Sequence, residues 1–308
     1  MVEPLVTIGV CVRNCEGSVK EAIDGIIDQD FPHEFMEVIF VDDGSEDGTL
    51  RVILDSVSRM DMRVKIFCGK WRGLGPARNL VVDNACGDFI VWVDGDMMLP
   101  KDHVRKQVEF MEQNPKVGIA KAKHGMLRRE NIVAALENIP FIVNDCKGRS
   151  LNSKLPGTGG AIYRVEAIRK VRGFDNHLKG VGEDQDAAYR VKDAGWLLSR
   201  SPAIFYEKRV NTWKDLWDKY FWYGYGDHDL FRKNRNIFSL YKMIPIAGFV
   251  VGALFALEAF RLTHRRFVFL LPFHFTFKMT AWCFGFAKRR ADFSSETTIK
   301  ILRSSGIV

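Results

Sequence analysis

Two acidic motifs in the first third of the chain each follow a short apolar run rich in β-branched residues. Asp42-Asp43 comes directly after Val38–Val41, and Asp94-Gly95-Asp96 comes directly after Phe89–Val93. Because burying unpaired carboxylates is unfavourable, the second motif calls for a positive partner at the end of its strand. Hard oxygen ligands suit Mg²⁺ or Mn²⁺, which takes its other ligands from water and a substrate diphosphate. A solvated turn is the alternative interpretation of either motif taken alone.

The segments that must position these carboxylates alternate between strand and helix patterns. Leu5–Val12 is a β-branched apolar run, and Ser18–Ile27 repeats apolar residues at helical spacing. Such alternation predicts an α/β domain with a mostly parallel sheet and right-handed crossovers. Ligands bind at the carboxyl ends of the strands in such sheets, where both acidic motifs fall. The same alternation continues through Gly48–Met60 (helix), Val64–Phe67 (strand) and Gly75–Ala85 (helix).

Taken as an ordered set, the motifs of roughly residues 5–200 resemble those of family-2 glycosyltransferases. The resemblance implies the GT-A fold, a Rossmann-like domain that binds nucleotide sugars. It depends on the order of the members, because none of them is specific by itself. These members are Val41-Asp42-Asp43-Gly44-Ser45 with Asp47, Gly75-Pro76-Ala77-Arg78-Asn79, Asp94-Gly95-Asp96, Gly159-Gly160 ahead of Arg164, and Gly182-Glu183-Asp184.

The resemblance also implies roles for the residues of the donor site. Asp43, with Asp42 beside it, is expected to contact the nucleoside, and Arg78 is expected near the base or the diphosphate. Asp94 would face the ribose or the sugar, and Asp96, together with Asp94, would hold the metal. A metal and an arginine at the departing diphosphate stabilise the transition state more than the ground state. Gly159 and Gly160 would let the backbone approach the reacting sugar.

The acidic pair Glu183-Asp184 is expected to act on the acceptor. An inverting displacement needs a carboxylate opposite the leaving group to take the proton of the acceptor hydroxyl, which makes Asp184 the candidate general base and Glu183 its support. The alternative is that Asp184 caps the helix that ends near Gly195. An acceptor that is a lipid phosphate would already be ionised, so the pair favours a hydroxyl acceptor.

The sequence departs from related patterns at two places, and one histidine allows two interpretations. Gly195-Trp196 is not followed by the Q-x-x-R-W motif of processive synthases, which predicts non-processive transfer. Phe205-Tyr206-Glu207 stands where many relatives place a histidine, so a further metal ligand stays open. His228, in a glycine-containing segment, is either part of a mobile loop that closes the donor site or a solvated side chain.

Composition excludes several classes of protein. The 308 residues are 47% hydrophobic and 27% charged, without repeats, which excludes disorder and solenoid or coiled-coil architectures. The six cysteines form no C-x-x-C pair, so a reducing compartment is expected. A net charge of +7 suits anionic partners, but nothing beyond charge favours nucleic acid. The amino terminus lacks the pattern of a signal peptide, and a cytoplasmic catalytic domain is therefore expected.

The carboxyl-terminal third has a different composition, and a boundary is expected near Asn236. Residues 1–236 would form the GT-A domain, 237–290 an apolar helical membrane-associated region, and 291–308 a tail. Basic residues flank both apolar stretches, Met243–Leu257 and Phe267–Ala287, which favours helices in the membrane interface or a shallow re-entrant pair. His274 and Lys278 are spaced to share one helix face. A buried helical pair in a soluble dimer is the alternative.

These expectations combine into one predicted activity. The chain is expected to be an inverting, metal-dependent, hexosyltransferase-like enzyme that moves one sugar from a nucleotide-sugar donor to a hydroxyl of a membrane-associated acceptor, either a saccharide or a lipid-linked molecule. The alternatives are a polyprenyl-phosphate glycosyl synthase and a non-catalytic scaffold that binds nucleotide sugars. A nucleotidyltransferase is disfavoured, because Arg13-Asn14-Cys15-Glu16 replaces the glycine-rich, arginine-containing loop that it would carry after the first strand.

Overall fold

The architecture is described from a computed structural model. The structure describes residues 3, 5–127, 130–146, 155–178 and 180–304, with the backbone alone for residues 295–304. Strands and helices alternate through residue 113, as the sequence pattern predicts. The strands are β1 Val6–Val12, β2 Met36–Asp42, β3 Arg63–Cys68, β4 Phe89–Trp92, β5 Met97–Met98, β6 Val117–His124, β7 Ala161–Arg164 and β8 Leu197–Glu207.

Helices lie between the strands and make up most of the chain after β8. The apolar residues whose helical spacing predicts α1 are also the residues that this helix buries: Val19, Ala22, Ile23 and Ile26. The helices are α1 Val19–Ile27, α2 Thr49–Val57, α3 Leu74–Asn84, α4 His103–Gln113, α5 Ile132–Cys146, α6 Val165–Lys170, α7 Glu183–Asp193, α8 Trp213–Lys233, α9 Pro245–Thr263 and α10 Leu271–Ser304, with short 3₁₀ helices at His33–Phe35, Leu240–Met243 and Arg266–Leu270.

The register of the sheet brings the two acidic motifs to one edge. The strand order is β3-β2-β1-β4-β7-β6-β8-β5, and β1 pairs in parallel with both β2 and β4. Val12 lies beside Asp42, and Gly9 lies beside Trp92. The carboxyl ends of β2 and β4 therefore flank the end of β1, as the sequence predicts for a mostly parallel sheet.

The second half of the sheet was not predicted, because the strand patterns recognised in the sequence end at Phe89–Val93. The strand β7 is antiparallel to β4 and β6, and β8 is parallel to β6. Two features hid these strands. Lys121 and Lys123 interrupt the apolar run of β6, and Pro202 lies inside β8 where the register with β6 is irregular.

Packing divides the chain into two compact units. The first comprises Met1–Arg129, Asn144–His177 and Glu183–Lys208, and the second comprises Glu130–Val143, Leu178–Gly182 and Arg209–Val308. In the first unit, alternate residues of β1 pack on opposite faces of the sheet: Ile8 joins a cluster with Ile23, while Cys11 joins another with Val81. Packing groups α8 with α9 and α10 in the second unit. The boundary near Asn236, which was expected from composition, stays a prediction.

The second unit is helical, and small residues let its helices approach closely. A Cβ atom at Gly252 would lie 2.6 Å from the Cα of Pro272, and one at Gly248 would lie 3.0 Å from the carbonyl oxygen of Phe275. Both interpretations of His228, a mobile loop and a solvated side chain, are wrong. His228 is buried inside α8, where its ring packs against the ring of Phe286.

The close packing of β1 gives a test of the fold. A Cβ atom at Gly9 would lie 2.8 Å from Cγ1 of Val81 and 2.9 Å from the Trp92 ring. We expect Gly9→Ala to lower the free energy of unfolding by about 1–3 kcal/mol, because buried side chains would have to move. Gly17→Ala is the control, since nothing lies within 4 Å of its added Cβ. Denaturant unfolding of both variants checks this, and equal stabilities would contradict the packing described.

Candidate active site

A buried arginine joins two of the predicted site residues. The guanidinium of Arg78, on α3, pairs with the carboxylate of Glu183 at the start of α7, and its Nη2 lies 3.9 Å from Oδ1 of Asp94. Arg78 and Glu183 are 5% and 1% exposed. The face of the guanidinium also lies over the ring of Phe174, with Cζ 5.8 Å from its centroid. Three distant segments of the chain thus meet at one cation.

Buried carboxylates in this cluster have raised pKa values. Burial raises the pKa of Glu183 to about 7, against the attraction of Arg78, and Asp184 adds a smaller upward effect. Oε2 of Glu183 is buried without a hydrogen-bond partner among the described residues. The carboxylate of Glu183 is therefore engaged with Arg78 inside the protein and closed to solvent.

Asp94 is the most exposed member of the cluster. Its side chain keeps 43% of its surface accessible. The protein atoms packed around it still raise the pKa of its carboxyl, an effect that Arg78 and Lys121 oppose and that Glu207 and Asp184 reinforce. Asp94 and Asp184 are therefore close enough to interact electrostatically, although 90 positions separate them along the chain.

Asp184 lies in the first turn of α7 and is half-buried. Its Oδ1 accepts a 2.7 Å hydrogen bond from the backbone N–H of Gln185. The helix begins at Glu183, so Asp184 is not the capping residue considered as the alternative. A Cβ atom at Gly157 would lie 3.0 Å from its Oδ2.

The glycine segment runs past both carboxylates. A Cβ atom at Gly159 would overlap Oδ2 of Asp94. Gly160 has a φ of +68°, and its N–H donates to the carbonyl of Trp92 over 3.0 Å. Glycine is required at both positions, since a side chain would displace the carboxylate at one and strain the backbone at the other.

The first acidic motif, Asp42-Asp43, forms a group of its own beside the Arg78 cluster, and both of its carboxylates accept hydrogen bonds from nearby loops. Asp42 accepts hydrogen bonds from the N–H and the hydroxyl of Ser45, as in an Asx turn. Asp43 accepts from the backbone N–H groups of Arg72 (2.7 Å) and Gly73 (2.8 Å). Asp43 therefore holds the loop between β3 and α3 against the end of β2.

This loop encloses a cavity of about 160 Å³ beside Asp43. Its walls include apolar side chains from β2, β3 and α3, and two basic residues lie on the loop. Neither Arg78 nor Asp94 lines it. The lining residues of interest are Val41, Phe67, Pro76, Leu80, Lys70 and Arg72.

Buried Cys11 in β1 lies between the two groups. Burial raises the pKa of its thiol to about 12, and its environment includes the charges of Arg78, Asp94 and Asp43. The cavity residues and the Arg78 cluster therefore flank the same strand end.

Asp96 contributes to the environment of Cys15. Burial raises the pKa of the Cys15 thiol to about 11, and the charges of Asp47, Asp96 and Asp42 add to this effect. Within the described ranges, no group of three or more histidine, cysteine, aspartate or glutamate side chains is arranged to hold a metal ion. The described side chains of these four types therefore form no complete ligand set by themselves.

Two further residues lie near Asp94: Lys121, which the sequence analysis did not name, and Glu207, which it named only as part of Phe205-Tyr206-Glu207. The ammonium group of Lys121 donates to the carbonyl oxygens of Gly157 (3.4 Å) and Gly159. Glu207 ends β8 opposite Met97 and influences the carboxyl of Asp94. The signal for Glu207 was its place at the end of a strand, and recognising Lys121 would have required β6 to be found.

Comparison with known proteins gives a consistent result. The sequence model described as "Glycosyl transferase family 2" matches residues 7–172. The succinoglycan biosynthesis protein ExoA of Rhizobium meliloti is 27% identical over 245 residues, which cover 71% of this chain and 69% of that protein. For three other curated relatives the match covers less than half of their own length, at 17%, 44% and 42%.

Solved structures show the same fold. A mannosyltransferase from Pyrobaculum calidifontis, in complex with GDP-Man and Mn²⁺, aligns with a TM-score of 0.67 and 20% identity over 95% of this chain and 88% of that one. Staphylococcus aureus TarS 1–349 in complex with UDP-GlcNAc aligns with a TM-score of 0.53 and 17% identity over 93% and 92%. The sheet with its two acidic strand ends is a GT-A fold, and the chain belongs to glycosyltransferase family 2.

Proposed function

We propose that the chain is an inverting, metal-dependent glycosyltransferase that moves one sugar from a nucleotide sugar to a hydroxyl of a membrane-associated acceptor. The observation that carries the proposal is the approach of Asp94 and Asp184 within one charged cluster, with Gly157 and Gly159 beside them. The carboxylate of Asp94 is available to the donor, and that of Asp184 is available to the acceptor. The whole activity rests on this division of roles.

The cavity beside Asp43 suits a nucleoside. Its apolar walls can cover a base, while Lys70 and Arg72 can attract the phosphates of the donor. Two proteins of similar fold are described in complexes with GDP-Man and UDP-GlcNAc, which supports a nucleotide sugar as the donor. Asp42 and Asp43 act here through the loops they hold, and a free lone pair of Asp43 can also accept from the base.

The residues present fit a divalent cation. Asp94 and Asp96 offer hard oxygen ligands, and the absence of a side chain at Gly159 leaves Oδ2 of Asp94 unobstructed. With no third acidic or histidine ligand grouped there in the described part of the chain, a donor diphosphate and water would complete the shell. Bound Mg²⁺ or Mn²⁺ would supply Lewis-acid stabilisation of the leaving diphosphate. Arg78 holds Asp94 and Glu183 in place during this step.

Asp184 is proposed as the general base. A hydroxyl acceptor must lose its proton as its oxygen attacks the anomeric carbon, and a half-buried carboxylate can accept that proton. Attack from the side opposite the diphosphate inverts the configuration at that carbon. Glu183 supports this step by fixing the first turn of α7 to Arg78.

The second unit is proposed to attach the protein to a membrane. Pro245–Thr263 and Arg266–Ser294 are long and apolar enough to cross a bilayer by length and composition. On α9 the small residues are buried against α10, and the opposite face exposes Ile246 (76%), Val250 (54%) and Leu254 (59%). Such a face suits lipid better than water. The catalytic unit would lie on the cytoplasmic side, where nucleotide sugars are supplied.

The metal assignment is tested with Asp96→Ala. We expect donor hydrolysis, assayed with GDP-mannose and UDP-GlcNAc in the presence of Mn²⁺ or Mg²⁺, to fall at least about 100-fold, since a catalytic metal contributes several kcal/mol. Asp83→Ala, at an exposed position of α3, should behave like the wild type. Undiminished, metal-dependent hydrolysis by Asp96→Ala would remove Asp96 from the metal site.

The role of Asp184 is tested by Asp184→Asn, which keeps the shape of the side chain and removes its basicity. Transfer to a hydroxyl acceptor should fall about 10²–10⁴-fold while donor affinity stays close to that of the wild type. Asp193→Asn, exposed at the other end of the same helix, is the control. If Asp184→Asn keeps most of its transfer activity, an already ionised acceptor such as a polyprenyl phosphate becomes the better assignment.

Membrane attachment is tested with the double substitution Val250→Glu and Leu254→Glu. Two charges on the exposed apolar face should shift the full-length chain from the membrane fraction to the supernatant in the absence of detergent, because carboxylates are costly to place in lipid. Leu54→Glu on α2, equally exposed at 54%, should leave the distribution unchanged. If the unsubstituted chain is already soluble without detergent, the apolar face belongs to a protein partner instead.

A further inference from the structure

Lys121 contacts the backbone that lies beside both proposed catalytic carboxylates. Its ammonium group donates hydrogen bonds to the carbonyl oxygens of Gly157 and Gly159. We propose that Lys121 is a positioning residue for sugar transfer, which holds this segment at a fixed place between Asp94 and Asp184. The inference rests on the proposed function and adds a residue to its machinery.

The position of this backbone sets the room available at each carboxylate. Gly159 lies so close to Asp94 that a Cβ atom would overlap Oδ2, and a Cβ atom at Gly157 would be 3.0 Å from Oδ2 of Asp184. The Lys121 ammonium group, which donates to the carbonyl oxygens of both glycines, therefore links the backbone beside Asp94 to the backbone beside Asp184. A shift of about 1 Å in such a wall is enough to cost about 100-fold in rate.

Among the described residues, the other hydrogen bonds of this segment are a turn in which the N–H of Ala161 donates to the carbonyl of Thr158 (2.7 Å) and the bonds of Gly160. Gly160 donates to the carbonyl of Trp92 over 3.0 Å, and its own carbonyl accepts from the N–H of Ala122 (2.9 Å) and from the side chain of Gln107 (3.1 Å). These contacts tie Gly160 to the sheet. Removal of the Lys121 ammonium should therefore release the carbonyls of Gly157 and Gly159 while Gly160 stays in place.

The surroundings of Lys121 suit a fixed cation. The residue is half-buried on β6, and its ammonium lies 5.1 Å from the centroid of the Phe205 ring. A cation over an aromatic face is held without losing its charge. Lys123, two residues further along the same strand, is exposed and provides a control with the same chemistry.

The experiment compares Lys121→Met, Lys121→Arg and Lys123→Met in the full-length chain. For transfer from the nucleotide sugar that the wild type uses, we expect Lys121→Met to lower kcat about 30–100-fold and to change the donor KM less than about threefold. Lys121→Arg, which keeps a donor cation, should recover about tenfold of the loss. Lys123→Met should match the wild type.

A second variant covers the case in which Lys121→Met folds poorly. Gly157→Ala places a Cβ atom 3.0 Å from Oδ2 of Asp184, so the backbone must move away from this carboxylate, and the variant should also lower kcat more than it raises the donor KM. In the double variant the losses should be less than additive, because both changes move the backbone whose carbonyl oxygens accept from Lys121.

Two results would overturn the inference while the wild type remains active. The first is a kcat of Lys121→Met within about twofold of that of Lys123→Met. The second is equal loss of kcat in Lys121→Met and Lys121→Arg, accompanied by equal loss of thermal stability, which would indicate a structural role alone. A wild type that neither hydrolyses nor transfers any nucleotide sugar would instead contradict the proposed function itself.

Discussion

A single buried guanidinium holds the candidate site together. Arg78 pairs with Glu183 and approaches Asp94, so it links the first turn of α7 to the end of β4. Removing one partner of such a buried pair leaves an uncompensated charge, which is strongly destabilising. The separation between the proposed metal carboxylate and the proposed base is therefore fixed by electrostatics in the interior rather than by surface loops.

Glycine and main-chain contacts complete this constraint. The carboxylates at the sheet edge have little space, because Gly157 and Gly159 bring the backbone against Asp184 and Asp94. Asp43 uses both carboxylate oxygens to hold the loop that walls the nearby cavity. The acidic residues thus serve two purposes: some order the loops, and others remain accessible for a cation, a sugar or a proton.

The ends of β2 and β4 were predictable from sequence because continuous apolar runs stop at Asp42 and Asp94. The acidic start of α7 was predictable for a similar reason, since helical periodicity resumes at Glu183. The partner of Arg78 was not, because residues 105 positions apart meet only after folding. The expected place of Arg78 near the base or the diphosphate of the donor stays a prediction. Lys121 was missed because two lysines interrupt the apolar run of β6, and the approach of Glu207 to Asp94 was not predicted because Pro202 interrupts β8.

The central claim is that Asp94, Asp96 and Asp184 serve one reaction centre. Anomalous scattering from Mn²⁺ in crystals grown with a nucleotide sugar tests it most directly. The expected map has one Mn²⁺ peak bound by Asp96 or Asp94 and by the diphosphate, with the Asp184 carboxylate facing the far side of the anomeric carbon. A peak bound elsewhere, or a sugar held away from Asp184, would contradict the account.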